Sequence, residues 1–273
     1  MLTQKEIDTF NTEGYLIISL DISHKILDKI IEDAKYCFTK NNSDLSHHGT
    51  RIQDIWRDFA SIKRVALLPQ VLFYLADLYK RKPLPFQTLN FYLGTQQKLH
   101  SDTVHFNSFP NNFMCGVWVA LEDIDEENGP IIYCPGSHKL PEVTMQDVGK
   151  GITHENYIFY EEYIEKKMVS ENSLSTETAC LKKGQAIIWH GNLLHGGSHH
   201  KDKQRTRHSM VTHYYFEGCQ YYTPMLSTPD AVHYRTPDWI EMVVADKFIS
   251  GLEYKFYNLK QKPKTDKQNL TGN

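Results

Sequence analysis

The apolar residues of this chain change their spacing part-way along it. Ile26, Leu27, Ile30, Ile31, Ala34 and Phe38 recur three and four apart and predict a helix over 23–38. Ahead of it, Thr3 with Glu6 makes a capping box and Gly14 a stop, so 3–13 predicts a shorter helix. The apolar run over 15–20 fits a strand. After a polar loop over 41–49, helical spacing returns over 53–64 and again over 70–81, between Pro69 and Pro83.

Beyond Pro83 the pattern shortens. Runs over 86–93, 113–121, 131–134, 178–181, 186–189 and 209–216 read as strands, most of them separated by Gly, Pro and Asn. A helical front followed by many short strands, without strand–helix alternation, predicts a mainly β sandwich or barrel with helical cover. Residues 141–177 interrupt the strands with a charged segment, part helical around 156–167, whose length fits a lid. A last helix is expected over 236–258. The polar tail over 260–273 reads as disordered. The expected layout is one domain over 1–259, with helical cover over 1–84 and a β core over 85–224.

Composition adds mainly exclusions. At 273 residues, 40% hydrophobic and 23% charged, the chain is an ordinary globular one that can bury a full core. A net charge of −3 gives no electrostatic reason to expect nucleic acid or an anionic membrane as partner. No apolar run approaches a membrane span, and the first residues lack a signal-peptide core. Five cysteines, odd in number and without a Cys-x-x-Cys, fit buried thiols in a reducing, cytoplasmic compartment.

The chemistry centres on Leu99 to Phe106. His100 and Asp102 are two apart, so on a strand both would leave one face of the sheet. An imidazole and a carboxylate side by side are two of the three ligands of a facial iron(II) site. About one such triplet arises by chance in a chain of this composition, so the rest of the site has to come from elsewhere. His105, an odd interval from His100, would face the other way. Five histidines fall between 190 and 208. His195 stands out, with the apolar pair Leu193 and Leu194 before it and a flexible Gly196-Gly197 after it, whereas His199 and His200 lie in a charged, solvated loop. Arg205 and Arg207 precede the strand over 209–216. An inward-facing arginine there would be a buried charge in need of a carboxylate. The turn Pro135-Gly136-Ser137-His138 reads as structural, at the pocket mouth.

Together these residues resemble the phytanoyl-CoA dioxygenase family of iron(II)- and 2-oxoglutarate-dependent oxygenases, which includes ectoine hydroxylase. The resemblance runs from the helix-Gly-Tyr-strand opening over 7–18 to about Pro224. It takes in His100 and Asp102, then Trp118 with Ala120, Leu121, Glu122 and Asp123, then Asn128-Gly129-Pro130 and the Pro135-Gly136-Ser137-His138-Lys139 turn. Lys183-Gly184, His195, Ser198 and Arg207 complete it.

That resemblance implies a double-stranded β-helix, the jelly-roll or cupin-like core, with iron(II) bound by His100, Asp102 and His195. It implies that Arg207 pairs with the distal carboxylate of 2-oxoglutarate with help from Ser198, that Trp118 lines the cosubstrate pocket, and that Asn90 reaches the cosubstrate. His195 and Arg207 are 12 positions apart (207 − 195), one more than in close relatives, so a slipped register would put Arg205 in the anchor's place. The implied reaction consumes O2 and 2-oxoglutarate, releases succinate and CO2, and oxidises a C–H bond of a small-molecule substrate. A carboxylate at 102, where family halogenases carry a small residue, points to hydroxylation. The other readings are a cupin-like metalloenzyme that does not use 2-oxoglutarate, and a non-catalytic binding relative.

Overall fold

The computed structural model describes residues 1–48, 50–149, 155–228 and 230–241. In chain order they form α1 (Gln4–Glu13), β1 (Tyr15–Ser19), α2 (His24–Lys40), β2 (Arg51–Gln53), α3 (Ala60–Ala66), α4 (Pro69–Tyr79) and β3 (Pro83–Phe91). There follow β4 (Asn107–Phe109), β5 (Met114–Ala120), β6 (Ile131–Tyr133), α5 (Met145–Val148) and α6 (Tyr157–Tyr163). The last described strands are β7 (Glu177–Ala179), β8 (Gln185–His190), β9 (His195–Gly197), β10 (Ser209–Phe216) and β11 (Gln220–Tyr222).

The main sheet has six strands, all antiparallel, in the order β1-β8-β5-β10-β3-β2. Successive side chains on its strands separate two buried layers. Cys115, Val117, Val119, Ile188, Met210 and Tyr214 face the helices, where they meet Leu27, Ile30, Phe38, Ile62, Val71 and Leu75. Trp118, Ala120, Ile187, Trp189 and Val211 face inward, against Ile131, Tyr133 and Ala179 of a smaller sheet ordered β7-β6-β9. Both faces of β5 and β10 are therefore covered, which is why β5 reads as a continuous apolar run rather than an alternating one. Two antiparallel sheets facing one another in this way form a jelly-roll whose interior opens at one end.

Several elements fall where their local cues put them. Thr3 caps α1 by the expected capping box, and Gly14 ends it with a left-handed φ of 81°. Three differences stand out. The N-terminal segment is more than cover, because β1 and β2 are the two edge strands of the main sheet. The helix expected over 53–64 is broken: Asp54 takes a left-handed φ of 57°, and its Oδ1 accepts from Thr88 N at 2.8 Å and Trp56 Nε1 at 3.2 Å. A short 3-10 turn (Ile55–Arg57) and α3 take its place. The described part of 141–177 is helical around 156–167 as expected, with α5, α6 and a wide-turned π-helix (Ile164–Ser170), and its Tyr160, Ile164 and Met168 share a core with Val104, Cys134, Leu194 and Met225. Residues 236–241 carry no helix, and the remainder of the helix expected over 236–258 lies outside the described residues, as does the 260–273 tail.

Candidate metal centre

His100, Asp102 and His195 converge at the open end of the jelly-roll. All three are buried, and one ligand atom from each lies within 4.8 Å of the others. His100 is not on a regular strand. It forms a single bridge with His195, each backbone N–H donating to the other's carbonyl at 2.9 Å, and the chain turns at once into a 3-10 turn (Asp102–Val104). The bridge, rather than strand alternation, therefore brings the ligands together. His105 leaves along this turn and its ring stacks on Tyr157.

Gly196 and Gly197 are not a flexible exit. They belong to β9, and a Cβ at 196 would lie 2.6 Å from Gln97 O while one at 197 would lie 2.8 Å from Gln96 N. Glycine is needed there because the segment leading to His100 crosses β9 in backbone contact. Behind the site, Ser101 Oγ reaches Asn192 Oδ1 at 3.2 Å, Asn192 Nδ2 donates to Leu140 O at 2.8 Å, and Tyr160 OH accepts from Ser101 N at 3.2 Å. Ser137 Oγ accepts from Leu194 N at 2.9 Å. The Pro135-Gly136 turn thus braces the approach to His195. It does not line the metal cavity; His138 lines a separate polar cavity with Glu142, His190 and Asn192.

Hydrogen bonds select the tautomers. His100 Nδ1 lies 2.9 Å from Lys98 O, and His195 Nδ1 lies 2.9 Å from Leu193 O. A carbonyl can only accept, so each Nδ1 carries a proton and each Nε2 is the nitrogen left to face a metal. Burial, with His195 nearby, pushes the His100 imidazole down to about 3, so it stays neutral. Burial by itself would raise the Asp102 carboxyl, but His195, His213 and His100 around it hold it well below the usual carboxylate range. Two imidazole nitrogens and one carboxylate oxygen, buried and convergent, are the donor set of a facial iron(II) site.

Deeper in the same cavity sits Arg207, 2% exposed. Its guanidinium lies 5.2 Å from the Trp118 ring, Nη1 donates to Ser209 Oγ at 2.7 Å, and Nε has no partner. Burial pushes it down to about 10, and Glu122 only partly offsets this. It forms no ion pair among the described residues, which leaves a buried cation facing a cavity. Arg205 points outward, held by Asp125 at 2.7 and 2.9 Å.

The other expected residues divide. Trp118 lines the cavity. Asn90 does not: Leu89 and Phe91 on either side of it do, and its own pairing partners Ile52 and Met210 belong to the helix-facing core. Ser198 is not a lining residue either, and its buried hydroxyl has no partner. His200, expected in solvent, is buried, with Nε2 2.9 Å from Asp202 O and 3.0 Å from Arg205 O. The sequence reading missed Arg51, Thr95, Gln97, Trp189 and His213, all of which line the cavity. Only the alternation of β8 and β10 could have pointed to Trp189 and His213.

The comparisons agree with this geometry. Residues 10–209 match the family model "Phytanoyl-CoA dioxygenase (PhyH)". Peroxisomal phytanoyl-CoA dioxygenase of Rattus norvegicus is 25% identical over 181 residues, 63% of this chain and 51% of its own. The Danio rerio phytanoyl-CoA dioxygenase domain-containing protein 1 is 29% identical over 137 residues, 49% of this chain and 45% of its own. The chain thus spans about half the length of the curated relatives it matches. Among solved structures, the non-heme alpha ketoglutarate dependent epimerase SnoN from nogalamycin biosynthesis superposes with a TM-score of 0.65 at 16% identity, over 88% of this chain and 98% of its own. EctD from S. alaskensis superposes with a TM-score of 0.63 at 18% identity, over 88% and 86%. The chain belongs to the phytanoyl-CoA dioxygenase family.

Proposed function

We propose that this protein is an iron(II)- and 2-oxoglutarate-dependent dioxygenase that oxidises a C–H bond of a small molecule. The observation that carries the reading is the pairing of two features in one cavity: a buried His100–Asp102–His195 donor set and a buried Arg207 with no ion pair among the described residues. A metal site alone would need no guanidinium. A dicarboxylate chelated at the metal by its 2-oxo acid end would bring its far carboxylate to such a group.

Each residue has a stated task. His100, Asp102 and His195 would hold iron(II), with two imidazole nitrogens and one carboxylate oxygen. Arg207 neutralises the distal carboxylate of 2-oxoglutarate, with Trp118 as the apolar wall beside it. Iron(II) held there would let O2 serve as the oxidant, which takes one electron pair from 2-oxoglutarate as it becomes succinate and CO2 and a second pair from the substrate C–H bond. Leu89, Phe91, Ile131 and Val211 surround the polar groups with apolar wall, which limits water at the reacting centre. Arg51, exposed at the cavity on edge strand β2, has no carboxylate partner among the described residues. Once Arg207 is neutralised this charge remains, which favours a small polar substrate with an anionic group. Hydroxylation is the favoured outcome, because Asp102 occupies the ligand position a halide would need. Buried Cys37, Cys115 and Cys134, with no disulfide among the described cysteines, support a reducing, cytoplasmic setting. None of the described helices is long and apolar enough to cross a membrane.

The test is succinate release from 2-oxoglutarate, screened against a panel of small polar metabolites. It should require iron(II) and O2, and rise several-fold with the right substrate. A purified, reduced protein that binds neither iron(II) nor 2-oxoglutarate would refute the proposal.

A further inference from the structure

Asp102 has two carboxylate oxygens, and the structure does not treat them alike. Oδ1 faces the histidines, 3.8 Å from His195 Nε2. Oδ2 points away and accepts a hydrogen bond from the indole Nε1–H of Trp189 at 2.7 Å, with both groups buried. We propose that Trp189 is a positioning residue that occupies Oδ2 and so makes Asp102 a one-oxygen ligand, and that Gly116 is there to let the indole reach it. This rests on the iron and 2-oxoglutarate reading above.

The choice of residue follows from proton chemistry. An indole N–H is a donor only, and its proton cannot move to another atom. His213 also approaches Oδ2, but its Nε2 stays at 3.6 Å, beyond hydrogen-bond distance, while its Nδ1 lies 2.9 Å from Gln87 Oε1. Among the described residues, Trp189 is the side chain within hydrogen-bond distance of Oδ2, and it can only donate.

The surroundings hold the indole at this task. Trp189 pairs directly with Gly116 across β8 and β5. A Cβ at 116 would lie 2.4 to 2.6 Å from the indole Cε2, Cζ2 and Nε1 atoms, so any side chain there would push the ring out of its seat. On its other side the indole packs on the His195 ring, with centroids 4.5 Å apart. One side chain thus touches two of the three metal ligands.

The consequence is a matter of counting positions. Three one-atom protein ligands leave three of six octahedral positions, two for the 2-oxo acid chelate and one for O2. A carboxylate free to swing Oδ2 onto the metal would fill one of them. Without the indole N–H, Asp102 competes with the cosubstrate for its own iron.

The experiment uses the full chain, anaerobic, with iron(II) alone and then with 2-oxoglutarate. It reads iron affinity, 2-oxoglutarate affinity and the visible charge-transfer band of the iron–2-oxo acid chelate. Trp189→Phe keeps an aromatic ring and removes the N–H. A second protein carries benzothienylalanine at 189, in which sulfur replaces the N–H in a ring of the same shape. Gly116→Ala keeps the N–H and displaces it. All three should bind 2-oxoglutarate about 10- to 100-fold more weakly, as loss of an outer partner of a metal ligand does, with a weakened or shifted band, while the metal-free form of the benzothienylalanine protein melts like wild type. Retention of wild-type 2-oxoglutarate affinity and band by the benzothienylalanine protein would overturn the proposal, since ring packing would then suffice. Wild-type protein that forms no chelate band would instead refute the functional reading itself.

Discussion

Arg207 and Arg205 lie two positions apart and do opposite things. Arg205 satisfies its charge at the surface on Asp125. Arg207, buried beside Trp118 without an ion pair among the described residues, leaves its charge for a ligand. Arg207→Met should therefore weaken 2-oxoglutarate binding by about 2–5 kcal/mol, the cost of removing one partner of a buried charge pair, which is about 30-fold or more. Arg205→Ala should leave it within about twofold, since an exposed pair contributes little. Titration of 2-oxoglutarate into the anaerobic iron protein measures both, and an Arg205 effect larger than the Arg207 effect would move the anchor. Likewise His195→Ala should cost iron affinity at least the 10- to 100-fold expected for an outer partner of a ligand. Metal content after dialysis checks this.

At the scale of elements, the site depends on segments that come together from far apart in sequence. Tyr160 of α6 reaches across to accept the Ser101 N–H between two of the ligands. Tyr160→Phe should leave that N–H buried without a partner, at a cost of about 1–3 kcal/mol, lowering Tm and weakening iron binding together. β9 is held as closely. Gly196→Ala would force a Cβ against the Gln97 and Lys98 backbone, which cannot yield as a flexible side chain would. Overpacking of this kind costs about 1–3 kcal/mol, or several degrees of Tm, and calorimetry of the metal-free protein reads it. A neutral Gly196→Ala would mean that the crossing segment moves freely.

For the whole molecule, the buried histidines set a pH limit. Burial, with His138 nearby, pushes His190 down to about 3, and burial with Lys35 pushes His208 down to about 4. Both lie below the unfolded value of about 6.5. Between these values the unfolded chain binds protons that the folded chain does not. The stability from each histidine is therefore fully present above about pH 6.5 and is lost as pH falls toward the folded value, by up to about 1.4 kcal/mol per unit for each. Metal-free protein should show Tm falling steadily from pH 7 to pH 5. His190→Asn, which keeps an acceptor for the Asn192 N–H, should flatten that slope. An unchanged slope would place the lost stability elsewhere.

Much of the layout was legible because its cues are local. A capping box and a glycine stop act within one turn, so α1 could be read residue by residue. Apolar spacing distinguishes helix from strand within ten residues, and His100, Asp102, His195 and Arg207 stood out by the company they keep. What needed the fold was every property that depends on a partner distant in sequence. Arg205 and Arg207 are chemically identical until one meets Asp125 and the other meets Trp118. Asn90 looks like a cosubstrate contact until its strand pairs with β10 and turns it to the helices. Gly196 and Gly197 suggest flexibility until the backbone of the segment before His100 is laid against them. Trp189 is one more apolar strand residue until its N–H meets Asp102. The sequence by itself settled which residue types could make the site, since period and motif are properties of neighbours along the chain. The tertiary structure decided which atoms of those residues face the metal, because burial and hydrogen-bond partners exist only once β5, β8 and β10 have paired.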